Sequence, residues 1–307
     1  GILNLTGANG FTGGLAINGG TVDTTGGGTL DDNLSVTIAS GAGFVAGSAD
    51  TIGVVANSGT LTVNAAQTVA SLDNASGATA NLNAKLTSNG GVANAQGGTV
   101  NMAGEIVAAS TVTNEGTINV GGNSLIDSAG FQGTGNIALA SGAALTVQQS
   151  ADSTYAGVIA GDGTLAKTGT GTLTLTGQNT HTGGTVVRAG TVDTTGGGTL
   201  ADTGAVVVEA GATFRAGTAD TVGAVANSGT LEINAAQTVA SLANTDGGVA
   251  HLNANVTSAG TVANFAGGTV NQSADIKAAM VGNSGTLNVL GQRHITTAGF
   301  GGDASGR

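Results

Sequence analysis

Short stretches of alternating apolar and polar residues follow one another along the whole chain. In Thr60-Leu-Thr-Val63 and Thr172-Leu-Thr-Leu175 every second side chain is aliphatic. This period of two predicts strands that bury one face. Glycines recur every few residues, so a strand runs for about five to seven residues at most before the chain bends. The pattern therefore predicts a chain wound into coils of short strands rather than one folded into a flat sheet.

Two long repeats organise the 307 residues, and they are offset by 170 positions. The segment Thr21–Leu30 reappears unchanged as Thr191–Leu200, and Asn64–Leu72 reappears as Asn234–Leu242. The first long repeat covers about 1–170 and a partial second one about 171–307. We expect one continuous β-helix over 1–307, and we expect it to be a window of a longer array.

A recurrent asparagine marks a finer period of about 17–20 residues in both long repeats. A coil of that length holds two or three short strands and suits a β-helix of triangular cross-section, in which strands of successive rungs pair. We expect these asparagines to tolerate left-handed turn geometry and to bond to the identical amide one rung away. The alternative is a row of ligand-binding amides. These ladder asparagines are Asn57, Asn74, Asn94, Asn114, Asn227, Asn244, Asn264 and Asn283.

The composition supports a narrow aliphatic core. The chain has 57 Gly, no Pro, Cys or Trp, one Tyr and six Phe, and only 8% of its residues are charged. Such a core is built from Val, Ala, Leu, Ile and Thr methyl groups, which suits stacked coils. The net charge of −11 with seven basic residues argues against nucleic-acid partners, because the surface repels phosphate. No apolar run approaches the roughly 18 residues of a membrane span.

Candidate catalytic residues are few. His181, His251 and His294 each stand where the other long repeat has a residue of another type, namely Phe11, Asn81 and Ser124. A catalytic histidine is not expected at such variable positions, and no Gly-x-Ser-x-Gly motif accompanies them. The adjacent carboxylates Asp31-Asp32 become Ala201-Asp202 in the second copy. We therefore predict no catalytic residues and a non-enzymatic protein.

Calcium is the metal to consider for an acidic, glycine-rich solenoid. The segment Gly26-Gly-Gly-Thr-Leu-Asp-Asp32 resembles the Gly-Gly-x-Gly-x-Asp repeat once and does not recur with a period of nine. The glycine clusters are not followed by Gly-Lys-Ser/Thr and so do not predict a phosphate loop. We expect no metal and no cofactor.

Residues 153–192 resemble the autotransporter-associated β-strand repeat of bacterial type V secreted proteins. The resemblance lies in Tyr155-Ala-Gly-Val-Ile159, Gly163-Thr-Leu-Ala-Lys-Thr-Gly169, Gly171-Thr-Leu-Thr-Leu-Thr-Gly177, Gln178-Asn-Thr180, Thr182-Gly-Gly184 and Ala189-Gly-Thr-Val192. Members of that family carry Tyr where this chain has His181 and, in a truncated copy at 1–14, Phe11. The motif is specific, but it covers about a fifth of the chain.

The resemblance implies a right-handed parallel β-helix on the outside of a Gram-negative cell. It implies a parent chain anchored in the outer membrane through a translocator barrel, and a role in adhesion, autoaggregation or biofilm formation. The expected partners are host or bacterial surface glycans or proteins, or other rods of the same kind. The alternative is a subunit of an extracellular fibre that forms by end-to-end stacking, because an unprotected strand edge recruits other strands.

Overall fold

The computed structural model describes residues 1–302. Within that range the protein is all-β, without helices, and its parallel sheets stack as a β-solenoid of about 16 turns. The predicted all-β parallel solenoid is therefore confirmed. The chain divides into two compact units, unit 1 (Gly1–Ser150) and unit 2 (Ala151–Arg307). The expectation of one continuous body over 1–307 stays a prediction.

The strands contain two to nine residues. The predicted limit of about seven is wrong for six strands of eight or nine residues, because each of these bends from one side of the coil to the next without a break. In unit 1 they are β1 Ile2–Asn4, β2 Leu15–Ile17, β3 Thr21–Asp23, β4 Val36–Ile38, β5 Gly43–Ala46, β6 Asp50–Asn57, β7 Thr60–Val63, β8 Gln67–Asn74, β9 Thr79–Leu82, β10 Leu86–Ser88, β11 Val92–Asn94, β12 Thr99–Met102, β13 Glu105–Ala108, β14 Val112–Asn114, β15 Thr117–Val120, β16 Asn123–Ser128, β17 Phe131–Gln132, β18 Asn136–Leu139 and β19 Ala144–Gln149. In unit 2 they are β20 Ser153–Tyr155, β21 Ile159–Gly161, β22 Thr164–Thr168, β23 Thr172–Leu175, β24 Thr185–Val187, β25 Thr191–Asp193, β26 Val206–Val208, β27 Thr213–Ala216, β28 Asp220–Asn227, β29 Thr230–Ile233, β30 Gln237–Asn244, β31 Val249–Leu252, β32 Val256–Asn264, β33 Thr269–Gln272, β34 Ile276–Asn283, β35 Thr286–Val289 and β36 Ile295–Gly301.

A rung of unit 1 runs along three faces, which we name A, B and C. Face A is the sheet β1-β3-β5-β7-β9-β12-β15-β18. The long strands β6 and β8 supply the other two faces: 50–52 pairs with 67–69 on face B, and 54–57 pairs with 71–74 on face C. In the following rungs faces B and C are separate strands, β10 and β11 and then β13 and β14.

Unit 2 has the same three faces. Its face A is the sheet β20-β23-β25-β27-β29-β31-β33-β35. The long strands β28, β30, β32 and β34 pair in sequence and carry faces B and C. The pairing of β30 with β32 shifts its register between Val239 and Leu242, where the chain turns from face B to face C.

The rung length varies with the loops. Asn57 pairs with Asn74, the next ladder asparagine along the chain, as the spacing of these asparagines predicts. The rung that contains loop 24–34 is longer, because Thr21 pairs with Gly43 across that loop, whereas Gly43 pairs with the nearer Thr60 in the next rung. The extra residues lie in the loop, so the strands on either side keep their register.

The inner side chains of the rungs form an aliphatic core. In β9 the burial alternates as the sequence pattern predicts, with Ala80 and Leu82 fully buried. Aromatic side chains are rare in the core, where Phe44, Phe131 and Tyr155 are the largest buried ones. Because a rung is too narrow for many rings, the core consists mainly of Val, Leu, Ile and Ala, as expected from the composition.

Candidate functional site

The ladder asparagines of unit 1 lie at the end of face C with their side chains pointing inwards. The amide Nδ2 of Asn57 donates to Oδ1 of Asn74 over 2.7 Å. Asn74 donates in the same way to Asn94, and Asn94 to Asn114, each over 2.8 Å. The four side chains are at most 2% exposed. The structure therefore brings these residues together as one continuous, buried row of amides.

Unit 2 repeats this row. Asn227 donates to Asn244 over 2.7 Å, Asn244 to Asn264 over 2.9 Å, and Asn264 to Asn283 over 2.8 Å. The first three are at most 5% exposed, whereas Asn283 is half-buried.

Backbone carbonyls accept hydrogen bonds from the same amides. Asn74 Nδ2 also donates to Thr99 O over 3.1 Å, and Asn244 Nδ2 to Thr269 O over 3.1 Å. Each amide thus ties face C of one rung to face A of the next. A buried amide without partners costs about 1–3 kcal/mol, so this bonding stabilises the corner. Apart from the half-buried Asn283, these amides are used within the protein and do not face solvent.

The prediction that these asparagines adopt a left-handed backbone geometry is wrong. Among residues 1–302 no residue other than glycine has a positive φ. The left-handed position is taken instead by a glycine shortly after the asparagine, as at Gly77 (φ 75°) and Gly247 (φ 77°). In the first of these turns the amide of Ala78 donates to Ala75 O, which makes Gly77 the third residue of a type II turn. Glycine has no Cβ to hinder that conformation, so the asparagine is free to stay in the strand.

Face A carries a second, outward row of polar side chains in unit 1. Asn101 Nδ2 donates to Asn81 Oδ1 over 2.8 Å, and Asn119 Nδ2 donates to Asn101 Oδ1 over 2.9 Å. Beside this row stands a column of threonines, one per rung: Thr60, Thr79, Thr99 and Thr117. Face A therefore presents hydroxyls and amides at the regular rung spacing of about 4.8 Å.

In unit 2 the corresponding row is charged. Arg215 lies between Asp193 and Glu232, with Nη1 2.9 Å from Asp193 Oδ2 and Nε 2.7 Å from Glu232 Oε2. The hydrogen bonds to Glu232 and Asp193 raise the pKa of Arg215. The next two rungs add His251 and Asn271, whose side chains are 3.3 Å apart.

A shallow groove runs along the corner between faces A and B in unit 2. It consists of two adjoining depressions of about 560 Å³ and 440 Å³, which share Ala236 and Asn255. We call it the acid-amide groove. The polar residues of its larger depression are Asp202, Asp220, Thr221, Gln237, Thr238, Asn255 and Thr257.

Asp220 of this groove is held by two backbone donors. Its Oδ2 accepts from Leu200 N over 2.7 Å, and its Oδ1 accepts from Thr221 N over 2.9 Å. Burial raises the pKa of Asp220, although the two backbone donors act in the opposite direction. Asp50 in unit 1 has the same two contacts, to Leu30 N and Thr51 N, and burial raises its pKa too.

Sequence reasoning missed Asp50 and Asp220 and singled out Asp31-Asp32 instead. Asp31 accepts from Asn33 N over 3.1 Å in its own loop, and Asp32 is exposed. The available signal is the recurrence of Asp-Thr at 50–51 and 220–221, at the start of a strand in both long repeats.

Two buried ionisable groups lie in the segment that resembles the family motif. Lys167 is fully buried, and its Nζ donates to Thr168 O over 2.5 Å and to Gly169 O over 3.1 Å. Burial lowers its pKa to about 8, against the opposing effect of Asp152. His181 is buried, with Nε2 2.9 Å from Thr185 Oγ1, and burial lowers its pKa.

The three histidines lie on different rungs. His181 precedes β24, His251 lies in β31, and His294 precedes β36. Among residues 1–302, no three His, Asp or Glu side chains are grouped as a metal site would require. The part of the chain that the structure describes also has no helix with the length and apolar character to cross a membrane.

One family model matches two short parts of the chain. Residues 1–23 and 165–193 match the model of the passenger-associated-transport-repeat. These two segments overlap the two copies of the motif found in the sequence. No curated protein and no solved structure matches the chain.

Proposed function

We propose that this chain serves as a non-enzymatic adhesive segment at the cell surface. The premise is that the chain is a repeat-bearing β-solenoid that fits an autotransporter passenger domain. The passenger family implies secretion to the cell surface, and the repeat and the fold are consistent with a structural protein. The proposed activities are adhesion, autoaggregation and biofilm formation, with surface glycans, proteins or like rods as partners.

The observation that carries this proposal is the outer polar row of face A in unit 1. Asn81, Asn101 and Asn119 present amides that are bonded rung to rung and partly exposed. A row of this kind offers many weak hydrogen bonds at once, and multivalent contacts between two copies of face A gain from the fixed spacing. Such a surface suits contact between cells better than it suits the capture of one small molecule.

The test uses bacteria that display the whole parent protein. Three aspartates in place of Asn81, Asn101 and Asn119 stack like charges along face A, which opposes self-association. We expect these cells to settle several-fold more slowly than cells with the native protein. The matched control places three aspartates on face B, at Thr51, Thr68 and Thr87, and should settle like the native cells.

Two outcomes contradict the proposal. If cells with and without the protein settle at the same rate, the protein has no adhesive role. Long filaments of the purified chain in negative stain, together with unchanged settling of the face A variant, favour the alternative of a fibre subunit that stacks end to end.

A further inference from the structure

We propose that the acid-amide groove of unit 2 binds a neutral glycan strand that lies across successive rungs. This inference deepens the proposed surface role, on which it rests, by naming a site and a ligand class. It starts from the shape of the groove, whose two depressions adjoin at Ala236 and Asn255. An elongated trough that crosses several rungs fits an extended polymer better than a compact ligand.

The groove repeats the same chemistry at each rung. Thr221 pairs with Thr238, and Thr238 with Thr257, so three hydroxyls line one wall in register. They are separated by about 4.7–4.9 Å, the spacing of neighbouring strands. The length of one sugar in an extended glycan is similar to that spacing, so successive sugars meet equivalent hydroxyls.

Beside these hydroxyls the groove has fixed acceptors and donors. Asp220 is held by Leu200 N and Thr221 N, and each of its oxygens keeps a second acceptor position. Asn255 Oδ1 accepts from Asp275 N over 3.1 Å, which fixes the amide and leaves its NH₂ group as a donor. Carboxylates and amides placed in this way bond to the neighbouring hydroxyls of a sugar ring.

Charge and shape narrow the ligand class. The larger depression contains Asp202 and Asp220 and no basic residue, and the smaller one adds Asp275 and Arg293. Three carboxylates against one guanidinium leave the groove acidic, which disfavours acidic polysaccharides and phosphates. The apolar lining of the larger depression is limited to Ala219 and Ala236, which provides no pocket for the side chains of a peptide. Among residues 1–302 no third acidic or histidine ligand completes a cation site. A neutral polyhydroxyl chain carries no negative charge, needs no apolar pocket and needs no bound cation.

Unit 1 contains an internal control for the groove. At the offset of 170, Asp32, Asp50, Thr51, Gln67, Thr68 and Thr87 match the lining residues of unit 2. Asn255 is replaced by Lys85, which is exposed. A lysine here removes the amide and introduces a long, charged side chain beside the carboxylates. We therefore infer that unit 2 binds the glycan and unit 1 does not.

The experiment is a calorimetric titration of the full chain with four probes: cellohexaose, maltohexaose, chitohexaose and the anionic hexagalacturonate. We expect at least one neutral hexasaccharide to bind with one site per chain, and hexagalacturonate not to bind. Asn255→Lys should weaken binding by about tenfold or more, since that corresponds to the loss of one or two hydrogen bonds. Lys85→Asn should raise the number of sites to two.

A second variant, Thr238→Val, distinguishes a loss of binding from an effect of Asn255→Lys on folding. It removes one hydroxyl and keeps the volume, so it should weaken binding while the melting curve by circular dichroism stays unchanged. The proposal is overturned if no neutral hexasaccharide binds, if both groove variants bind as the native chain does, or if Lys85→Asn leaves one site. Binding of CaCl₂ alone that Asn255→Lys abolishes would make it a cation site instead. Cell settling is measured separately, so a failure here is distinguishable from a failure of the adhesive role.

Discussion

Units 1 and 2 contain corresponding parts of the two long repeats, and at these matched positions their interiors differ far less than their surfaces. Phe44, Leu61 and Leu72 of the core in unit 1 correspond to Phe214, Leu231 and Leu242 in unit 2, which are buried to the same degree. The inner rows of asparagine also agree, with bonds of 2.7–2.8 Å in one unit and 2.7–2.9 Å in the other.

The outward positions of the same strands differ in chemical type. Val45, Thr62 and Asn81 on face A of unit 1 correspond to Arg215, Glu232 and His251 in unit 2. On face C, Asp73 corresponds to Ala243. An inward side chain must fill a fixed volume and satisfy its polar atoms, whereas an outward one meets water. Differences in binding between the units are therefore expected on the outer faces.

The largest expected effect tests whether the two interiors are equivalent. Asn74→Leu and Asn244→Leu each remove an acceptor for the preceding amide and a donor for the following one. The preceding buried amide is left with an unpaired N–H, and the following one with an unpaired oxygen. Each variant should therefore lose about 3 kcal/mol or more of unfolding free energy. Urea unfolding measures the loss, and hydrogen exchange assigns it to the unit that carries the change.

Asn101→Leu is the control for this pair, because Asn101 belongs to the outward row and is only half-buried. Water replaces its lost hydrogen bonds, and we expect a loss below about 1 kcal/mol. If Asn74→Leu and Asn244→Leu differ widely, or if Asn101→Leu costs as much as either, the inner rows do not stabilise the two units equally.

Much of the fold could be predicted from the sequence, because its signals are local and repeated. The alternation in Thr79–Leu82 predicts which side chains point inward and which point outward. The spacing of the asparagines predicts the length of a rung. The turn geometry was assigned to the wrong residue, since both Asn and Gly tolerate a left-handed conformation. In the structure Gly77 takes it, which leaves Asn74 in the strand.

The groove could not be predicted in the same way. Its carboxylate Asp220 is oriented by Leu200, which lies one rung earlier, and by burial against a neighbouring rung. An aspartate at the start of a strand looks solvated when the sequence is read along the chain. Lys167 illustrates the same limit, because nothing in its local sequence indicates that its ammonium group bonds to the carbonyls of Thr168 and Gly169 in the core.

A second prediction concerns one inward position where the copies differ. Met102 is 2% exposed in unit 1, and its counterpart Gln272 is fully buried in unit 2. Gln272 Nε2 donates to Ala274 O over 3.0 Å, but its Oε1 has no partner among residues 1–302. Nε2 also donates to His294 O over 3.4 Å. We expect Gln272→Met to stabilise the protein by at most about 1 kcal/mol, because removing the buried unpaired acceptor at similar volume is partly offset by the loss of the two bonds from Nε2.

The reciprocal variant Met102→Gln provides the check. It should destabilise the protein by a similar amount, measured by urea unfolding in the same buffer. A loss of stability in both variants would mean that the cavity around each residue is fitted to its own side chain. The two interiors would then be less alike than their sequences indicate.

A third prediction concerns the charged outer row of unit 2. Arg215→Val introduces the residue that unit 1 has at Val45 and removes the contacts of 2.9 Å and 2.7 Å to Asp193 and Glu232. The arginine side chain is 35% exposed and that of Glu232 is 29% exposed, so water and salt screen this pair. Asp193 is only 9% exposed, but it keeps its hydrogen bond from Thr195 N, and we expect a total loss of unfolding free energy of about 1 kcal/mol. In about 1 M NaCl, where the screening length is about 3 Å, the part of this loss that comes from Glu232 should disappear. Val45→Arg is the matched control: it places an arginine next to Asp23 but opposite the neutral Thr62, and should gain less unfolding free energy than Arg215 contributes.

A larger loss in Arg215→Val that persists in high salt would exceed what exposed ion pairs contribute. It would show that unit 2 depends on its outer face for stability, and would remove the division between a fixed interior and a variable surface.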